Sequence, residues 1–402
     1  MIVGQGVPWM ISDSGRRAGS AGVRGAPAVV WVVVVALVLA GAGLVPVASA
    51  SSGSGFAAWH ILPAAPLGRP YTVASVWTGS ELLVAGRAAT PGGVGYNVAA
   101  AYRPATDRWR ALSAPPPFTG TRPGQVRAVW SGREMLLWGA GLQAAYDPAT
   151  NHWRRLPAIP PGPGQIGPGG HVLAWTGRQM IIWGGDAGAD ARSGGATYDP
   201  VTNSWRRLPP APLAARNAVG AWTGQELVVA GGHDVRGTVF SDAAAYDPVA
   251  HTWRRLPPMP APRASAVATW DGSEVLLVGG VGPYTAHGPT PPYRDGVAYD
   301  PRSNRWRSLS AGDVGRVDHA ATWTGRRLLV WGGRTVRDGT EVAPPHGTAY
   351  DPVRDRWSEL PAAPLSGRTG PTVVWTGTSL LIWGGRSVPL GTFQPDGAVY
   401  TP

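Results

Sequence analysis

A short pattern, a Trp followed by a small or polar residue and then a Gly, recurs seven times along the chain at intervals of 45 to 53 residues. The seven copies begin at Trp77, Trp130, Trp175, Trp222, Trp270, Trp323 and Trp375. Each copy leads into an apolar run that ends in small residues, such as LLVWGG ending at Gly333. A fixed period of this length indicates that one supersecondary unit is repeated and that each unit packs against its neighbours.

Two further aromatic residues follow in the same order in each unit. A Tyr follows the apolar run, at Tyr102, Tyr146, Tyr198, Tyr246, Tyr299, Tyr350 and Tyr400. A Trp stands seven residues after each of the first six, at Trp109, Trp153, Trp205, Trp253, Trp306 and Trp357. The sequence ends at Pro402, before a seventh such Trp, and Trp59 stands in a matching context near the other end. We therefore interpret Trp59 as the missing half of the last unit.

The segments of each unit are typical of four short β-strands, which we call strands a to d. Strand a ends at the Trp of Trp-x-Gly, and the Gly allows a tight hairpin because it adopts positive φ readily. Strand b is the apolar run, strand c ends at the Tyr, and Asp-Pro after five of the Tyr residues is a turn signal. Strand d carries the second Trp. Four antiparallel strands in a repeat of about 50 residues predict the blade of a β-propeller.

The double Gly, the Tyr and the Trp seven residues later together resemble the kelch repeat, and the resemblance covers residues 58–402. Blades one and two depart from it, with Ala85-Gly86 and Gly139-Ala140 in place of two Gly. The resemblance implies an all-β, seven-bladed kelch-type propeller whose last blade is closed by the N-terminal strand, which removes a free sheet edge. Copper oxidases of this galactose-oxidase-like class use a Tyr crosslinked to a Cys. With no Cys in the chain, that cofactor is excluded, and we predict no cofactor.

The N-terminal segment has the pattern of an export signal. Arg16, Arg17 and Arg24 precede the uncharged apolar run 28–45, and Ala48-Ser49-Ala50 is an A-x-A cleavage pattern. We predict a signal peptide over residues 1–50, a linker over 51–57 and the propeller over 58–402, in a secreted or otherwise extracytoplasmic protein. The alternative is an uncleaved membrane anchor within residues 26–50, since 18 apolar residues approach the length that spans a bilayer.

An Arg precedes the Trp of Trp-x-Gly by six to eight residues in six of the seven units. These residues are Arg69, Arg122, Arg216, Arg263, Arg316 and Arg368. At the start of the innermost strand they would form a ring at one mouth of the central channel, where guanidinium groups favour an acidic ligand such as a carboxylated sugar or an acidic peptide. The alternative is that each guanidinium donates to carbonyl groups of neighbouring connectors.

The loop between strands b and c of blade five, residues 281–296, is one of the long loops of the repeat. Long loops on a rigid scaffold often carry binding specificity. Tyr284, His287 and Tyr293 are therefore candidate binding residues. The alternative is a Pro-stiffened spacer with no binding role.

Composition and motifs point away from catalysis. The eight His residues show no metal-binding spacing, and the net charge of +11, which comes entirely from Arg, does not by itself indicate nucleic acid. We predict a monomeric binding module without catalytic or metal sites, which binds a protein or glycan ligand at the channel mouth or the long loops. Membrane contact would come only through an uncleaved N-terminal segment. The alternative is a carbohydrate-active enzyme, such as a sugar epimerase or mutarotase, that uses channel residues such as Asp318, His319 and Glu341.

Overall fold

The computed structural model describes residues 58–402 except 118–125, 140, 163, 187–190, 285–289 and 338. The predicted signal peptide and linker lie outside these residues. Within them the chain forms seven antiparallel blade sheets, a small two-stranded sheet of Arg368–Thr369 with Arg386–Ser387, and one 3-10 turn at Pro104–Thr106. Nowhere in this part of the chain is there a helix long and apolar enough to cross a bilayer.

Each blade is a sheet of four main strands. The first strand of the chain, β1 (Ala58–Ile61), belongs to the last blade. Blade one consists of β2 (Arg69–Trp77), β3 (Leu82–Ala89), β4 (Gly95–Arg103) and β5 (Arg108–Ala111). Blade two consists of β6 (Arg127–Trp130), β7 (Met135–Gly139), β8 (Leu142–Asp147) and β9 (His152–Arg155). Blade three consists of β10 (Val172–Trp175), β11 (Met180–Trp183), β12 (Gly195–Asp199) and β13 (Ser204–Arg207).

The remaining blades follow the same order. Blade four consists of β14 (Asn217–Trp222), β15 (Leu227–His233), β16 (Ala243–Asp247) and β17 (Thr252–Leu256). Blade five consists of β18 (Val267–Trp270), β19 (Val275–Val278), β20 (Gly296–Asp300) and β21 (Arg305–Ser308). Blade six consists of β22 (Val317–Trp323), β23 (Leu328–Arg337), β24 (Thr340–Val342), which pairs with β23, β25 (Thr348–Asp351) and β26 (Arg356–Glu359). Blade seven contains the short β27 (Arg368–Thr369), β28 (Thr372–Trp375), β29 (Leu380–Trp383), the short β30 (Arg386–Ser387) and β31 (Gly397–Thr401).

The two ends of the propeller meet in the seventh blade. Strand β1 pairs antiparallel with β31, and Trp59 lies opposite Tyr400. In blade one, Trp109 lies opposite Tyr102 in the same way. The interpretation of Trp59 as the missing half of the last unit is confirmed, and this pairing closes the ring of blades.

The first strand of each blade lines the central channel, since the first strands of successive blades contact one another from β2 round to β28. Because the strands alternate in direction, all Trp-x-Gly hairpins lie on one face, which we call the lower face. The b–c loops and the connectors between blades lie on the opposite, upper face. The residues that begin strand a and those that follow the double Gly therefore meet at the upper mouth of the channel.

Both predicted turns are present on the lower face. The hairpin Gly residues adopt positive φ, for example 101° at Gly79. The Asp of Asp-Pro accepts a hydrogen bond from the backbone two residues on, as Asp147 does from the Ala149 N–H at 2.9 Å. The preceding Tyr hydroxyl donates to the residue that ends the turn, as Tyr146 does to Asn151 at 2.8 Å. These local bonds explain why the Tyr-Asp-Pro sequence recurs with the blades.

The core lies between neighbouring blades, and Trp residues hold it together. Trp183, Trp331 and Trp383, which precede the double Gly, are at most 1% exposed. The Trp of strand d donates its indole N–H to a carbonyl of the preceding connector, as Trp205 does to Pro157 at 2.9 Å. The same bond occurs in all seven blades. Each blade is thus bonded to the one before it by a repeated side chain.

Candidate functional site

Four of the six arginines predicted to ring the channel mouth are buried. Arg216, Arg263, Arg316 and Arg368 expose at most 2% of their side chains. Each donates to the carbonyl oxygen of the first Gly of its own blade's pair, as Arg368 does to Gly384 at 3.2 Å. Each also pairs with an Asp, as Arg368 does with Asp396 at 2.6 Å. The ring interpretation is wrong for these four, because their guanidinium groups bind the blade itself.

The other two members of the predicted ring differ from these four. Arg69 is exposed at the start of β2, and its guanidinium forms no hydrogen bond or ion pair with the described residues. Its blade has Ala85 in place of the first Gly. Arg122 lies outside the described residues. One exposed Arg does not make a ring.

The candidates on the blade-five loop are also separated in their roles. Tyr284 is 54% exposed, whereas His287 lies outside the described residues. Tyr293 donates its hydroxyl to the Pro262 carbonyl at 3.2 Å, and its ring centre lies 4.3 Å from the guanidinium carbon of Arg263. Tyr293 therefore supports a buried arginine, and Tyr284 remains the candidate contact on this loop.

A recess of about 670 Å³, a volume that includes its opening to solvent, lies at the channel. It is lined by residues of blades two to six. Its polar lining residues are Arg127, Asn217, His233, Ser265, Asp318 and His319. Val172 and Ala266 are among its apolar lining residues. A concave, largely apolar site with a few polar groups is the usual form of a small-ligand site.

Asp318 is the buried carboxylate of this recess. Its side chain is 7% exposed, and the Arg334 Nε donates to its Oδ2 at 3.0 Å. Arg334 also pairs with Glu341, so it bridges the two carboxylates. The Oδ1 atom of Asp318 is buried and accepts no hydrogen bond from the described residues. Burial raises the pKa of Asp318 above its ordinary value, although Arg334 opposes that rise.

Asp318 occupies a bulge in strand a that several blades share. Its φ is 57°, and Ser265 at the same place in blade five has a φ of 55°. Gly170 and Gly370 occupy this place in blades three and seven, with φ of 64° and 57°. A left-handed conformation costs an ordinary L-residue roughly 1–2 kcal/mol, less for Asp. Two blades therefore carry polar side chains where the backbone favours Gly.

Two imidazoles are buried along the channel. His171 and His319 are 0% and 1% exposed, and their ring nitrogens form no hydrogen bond of normal geometry with the described residues, although backbone groups of Gly167 and Val278, respectively, lie close to them. Burial, together with nearby Arg316, lowers the pKa of His319 to about 4. Burial and Arg127 hold the pKa of His171 well below its ordinary value. Both rings are therefore neutral near neutral pH.

We expect the burial of His319 to make the propeller sensitive to acid. The unfolded chain binds a proton at this residue near pH 6.5, whereas the folded chain does so only near pH 4. Stability that is present above pH 6.5 is therefore lost as the pH falls towards 4, by roughly 3 kcal/mol. Urea unfolding across this range should show the loss relative to a His319→Leu variant. Parallel profiles for the protein and the His319→Leu variant would contradict the expectation.

Within the described ranges, no three His, Asp or Glu side chains lie close enough together to hold a metal ion.

The model of the Attractin/LZTR1 β-propeller family matches residues 140–390, more than half of the chain. The chain belongs to this family. An F-box/kelch-repeat protein of Arabidopsis thaliana is 34% identical to this chain over 71 residues. That match spans 18% of this chain and 18% of the relative's length.

Solved structures resemble the whole propeller at low identity. The structure of YjhT superposes with a TM-score of 0.54 at 17% identity, covering 74% of this chain and 99% of YjhT. A novel fungal alcohol oxidase in complex with copper superposes with a TM-score of 0.64 at 16% identity, covering 86% of this chain and 76% of the oxidase. These identities support the fold alone. The predicted seven-bladed kelch-type propeller is confirmed.

Proposed function

We propose that this propeller is a binding module whose ligand, a carbohydrate or a segment of a partner protein, places polar groups in the recess. The observation that carries the proposal is a set of buried polar atoms in the recess without hydrogen bonds from the described residues. They are Oδ1 of Asp318 and Oδ1 of Asn217. A buried polar atom left without a hydrogen bond costs about 1–3 kcal/mol. A ligand that pairs with these atoms recovers part of that free energy.

The recess replaces the arginine ring as the proposed contact surface. An acidic ligand was predicted because six guanidinium groups would face the mouth, and four of them are buried in ion pairs. Asn217 illustrates the difference. Its Nδ2 donates to Asp186 at 2.8 Å, which leaves its Oδ1 as an acceptor in the recess. The kelch-type fold is consistent with an interaction module, and a recess lined by unrepeated residues gives such a module its selectivity.

We expect single changes in the recess to weaken binding. The purified full chain is screened against glycans and surface proteins, and the best ligand is titrated by calorimetry against Asn217→Ala and His233→Ala variants. Each variant should weaken binding about tenfold or more, because one hydrogen bond in a desolvated site is worth about 1.5 kcal/mol. Tyr284→Ala, on the exposed blade-five loop, serves as the control. A loss of binding in Tyr284→Ala with full binding in both recess variants would place the ligand on the loop and refute the recess.

The propeller is also proposed to act outside the cytoplasm. The support is the charged segment, the apolar run and the A-x-A pattern that precede residue 51. Mass spectrometry of the protein recovered from its host tests this proposal. A mature N-terminus at Ser51 would support export with cleavage, and a membrane-bound chain that retains residues 26–50 would support the anchor.

A second candidate function is a carbohydrate-active enzyme such as a sugar epimerase or mutarotase. It is favoured by the presence of Asp318 and His319 in one recess, where burial raises the pKa of the carboxyl group and lowers that of the imidazole. NMR of reducing sugars mixed with the protein tests this function. Anomer exchange faster than in buffer, and lost in Asp318→Asn, would support the enzyme. Exchange at the buffer rate for every sugar that binds would leave binding as the function.

A further inference from the structure

We propose that Asp318, with the acceptor atoms around it, binds a protonated primary amine, so that amine-bearing molecules such as amino sugars are the ligand class of the recess. This inference rests on the proposed function and makes it specific. It also replaces the acidic ligand with one of opposite charge at this wall of the recess.

The charges around Asp318 favour the binding of a cation. Asp318 and Glu341 share one guanidinium, that of Arg334, so the three side chains together carry a single negative charge when both carboxyl groups are ionised. Among the described residues, Arg334 is the cation that contacts Asp318. A carboxylate that is 7% exposed and incompletely neutralised carries a large unfavourable desolvation free energy unless another cation approaches it. The free Oδ1 gives that cation a place to bind.

The hydrogen-bonding groups of the recess favour an ammonium group as that cation. An ammonium group has three donors and no acceptor, whereas a hydroxyl group has one donor. The recess offers acceptors on three consecutive blades, namely Asn217 Oδ1 on blade four, Ser265 Oγ on blade five and Asp318 Oδ1 on blade six. The oxygens of Asn217 and Asp318 accept no hydrogen bond from the described residues, which suits an ammonium group, with three donors, better than a hydroxyl, with one, or a carboxylate, with none.

The position of Arg127 is compatible with this assignment. It lines the recess from blade two, the other end of the five-blade lining from blade six. Burial lowers its pKa to about 10, so it is cationic near neutral pH. Arg127 and Asp318 therefore lie on blades of the recess that are not neighbours in the ring.

The residue at the strand-a bulge differs between blade six and blades three and seven. At the shared bulge, blades three and seven have Gly170 and Gly370, which adopt the left-handed conformation without a side-chain penalty. Blade six has Asp318 there, with a buried charge and a φ of 57°. The fold alone is therefore served by Gly at this position. A polar side chain kept at a strained, buried position is a feature of ligand sites.

The test uses four sugars that share one ring and differ in charge. Calorimetry on the full chain compares glucosamine, N-acetylglucosamine, glucose and glucuronate. We expect glucosamine to bind at least tenfold more tightly than the other three, since its ammonium group makes charge-assisted hydrogen bonds. In Asp318→Asn, which keeps the shape and removes the charge, this preference should disappear.

A second variant guards against misfolding. Asp318→Gly places in blade six the residue that blades three and seven already have at this bulge. It should lose the glucosamine preference while its melting temperature stays within about 4 °C of the unmodified protein. Asp271→Asn removes the same charge from a lower-face hairpin and should leave the preference unchanged. A preference lost equally in Asp271→Asn would mean that net charge alone is responsible.

Other outcomes would overturn the inference without ambiguity. They are equal affinities for the four sugars, no binding of glucosamine at millimolar concentration, or a preference that survives in Asp318→Asn. If another ligand from the screen still depends on Asn217 and His233, the recess is the binding site and only the amine assignment fails. If binding depends on Tyr284 instead, the proposed function fails as well.

Discussion

Replacing Arg368 with Met is expected to destabilise the propeller by about 3 kcal/mol. The side chain is fully buried and donates to the carbonyl oxygens of Ser366 and Gly384 and to the carboxylate of Asp396. Met fills most of the volume but offers no donors, so buried carbonyl groups lose their partners. Because Asp396 is half exposed, water can solvate part of its charge, which keeps the loss at the lower end of the range for broken buried pairs.

Arg69 offers a matched control for this prediction. It occupies the equivalent place in blade one, yet its side chain is exposed and has no partner among the described residues. Arg69→Met should therefore change the free energy of unfolding by less than about 0.5 kcal/mol. Urea unfolding of both variants measures the difference. Equal destabilisation by the two changes would contradict the assigned role of the buried guanidinium.

The burial of these arginines means that replacing several of them together cannot test an arginine ring as a binding site. A triple Ala replacement of Arg263, Arg316 and Arg368 removes three buried ion pairs, a loss of about 9 kcal/mol if the effects add. This loss is comparable to the whole stability of many domains. Loss of ligand binding in that variant would therefore report unfolding. Single changes in the recess avoid this problem because Asn217 and His233 are not part of the bonding of the repeated arginines within their blades.

Deleting residues 1–62 is expected to have the second large effect, a loss of more than about 4 kcal/mol together with self-association. The deletion removes β1, the Trp59 indole bond to the Pro361 carbonyl at 3.1 Å and the packing of Trp59 on Tyr400, whose ring centres are 5.1 Å apart. It also removes Leu62, which is 5% exposed. Loss of a large core side chain alone costs about 2–5 kcal/mol. The deletion would leave β31 as an unpaired edge strand, which promotes association.

Thermal unfolding and light scattering measure this effect. Deleting residues 1–50 leaves β1 in place and should change neither the melting temperature nor the oligomeric state. A synthetic peptide of residues 57–66 should restore part of the melting temperature of the 1–62 deletion, because it supplies the missing strand. A 1–62 deletion as stable and monodisperse as the 1–50 deletion would show that strand β1 does not stabilise the ring.

The propeller could be predicted because each repeated residue meets the same local need in every blade. The hairpin Gly allows positive φ, the Tyr and Trp lie opposite each other on neighbouring strands, and the Asp-Pro turn is bonded within four residues. Such contacts are short in sequence, so their pattern is visible without a structure. Even the split last blade could be inferred, since Trp59 keeps the context of its counterparts.

The burial of the repeated arginines could not be predicted from the sequence. Their spacing was evident, but their burial was not, because three of the four Asp partners lie 26 to 32 residues along the chain and carry no signal of pairing. Asp396, for example, follows Arg368 by 28 residues. The outer strands hide similar pairs, such as Arg154 with Glu134 at 2.7 Å. A residue that recurs in nearly every blade was the poorer candidate for binding, because repetition reflects a shared structural need.

The recess is built from residues that break the repeat. The position after the double Gly differs from blade to blade, being Asp186, His233 and Arg334 in blades three, four and six. The bulge in strand a differs in the same way. Variation at one position within an otherwise regular unit was the available signal. It could not be turned into a site without knowing that these two positions meet at the channel mouth.

The pairing of β1 with β31 has a consequence for the order in which the molecule is made. During synthesis the first strand has no partner until the last strand has left the ribosome, because the residues opposite Trp59 and Ile61 are Tyr400 and Ala398. Blades one to six can form earlier, since the four main strands of each are contiguous in the chain. The completed ring therefore depends on the whole chain, and a nascent or truncated product retains an open seventh blade that quality-control proteases can recognise.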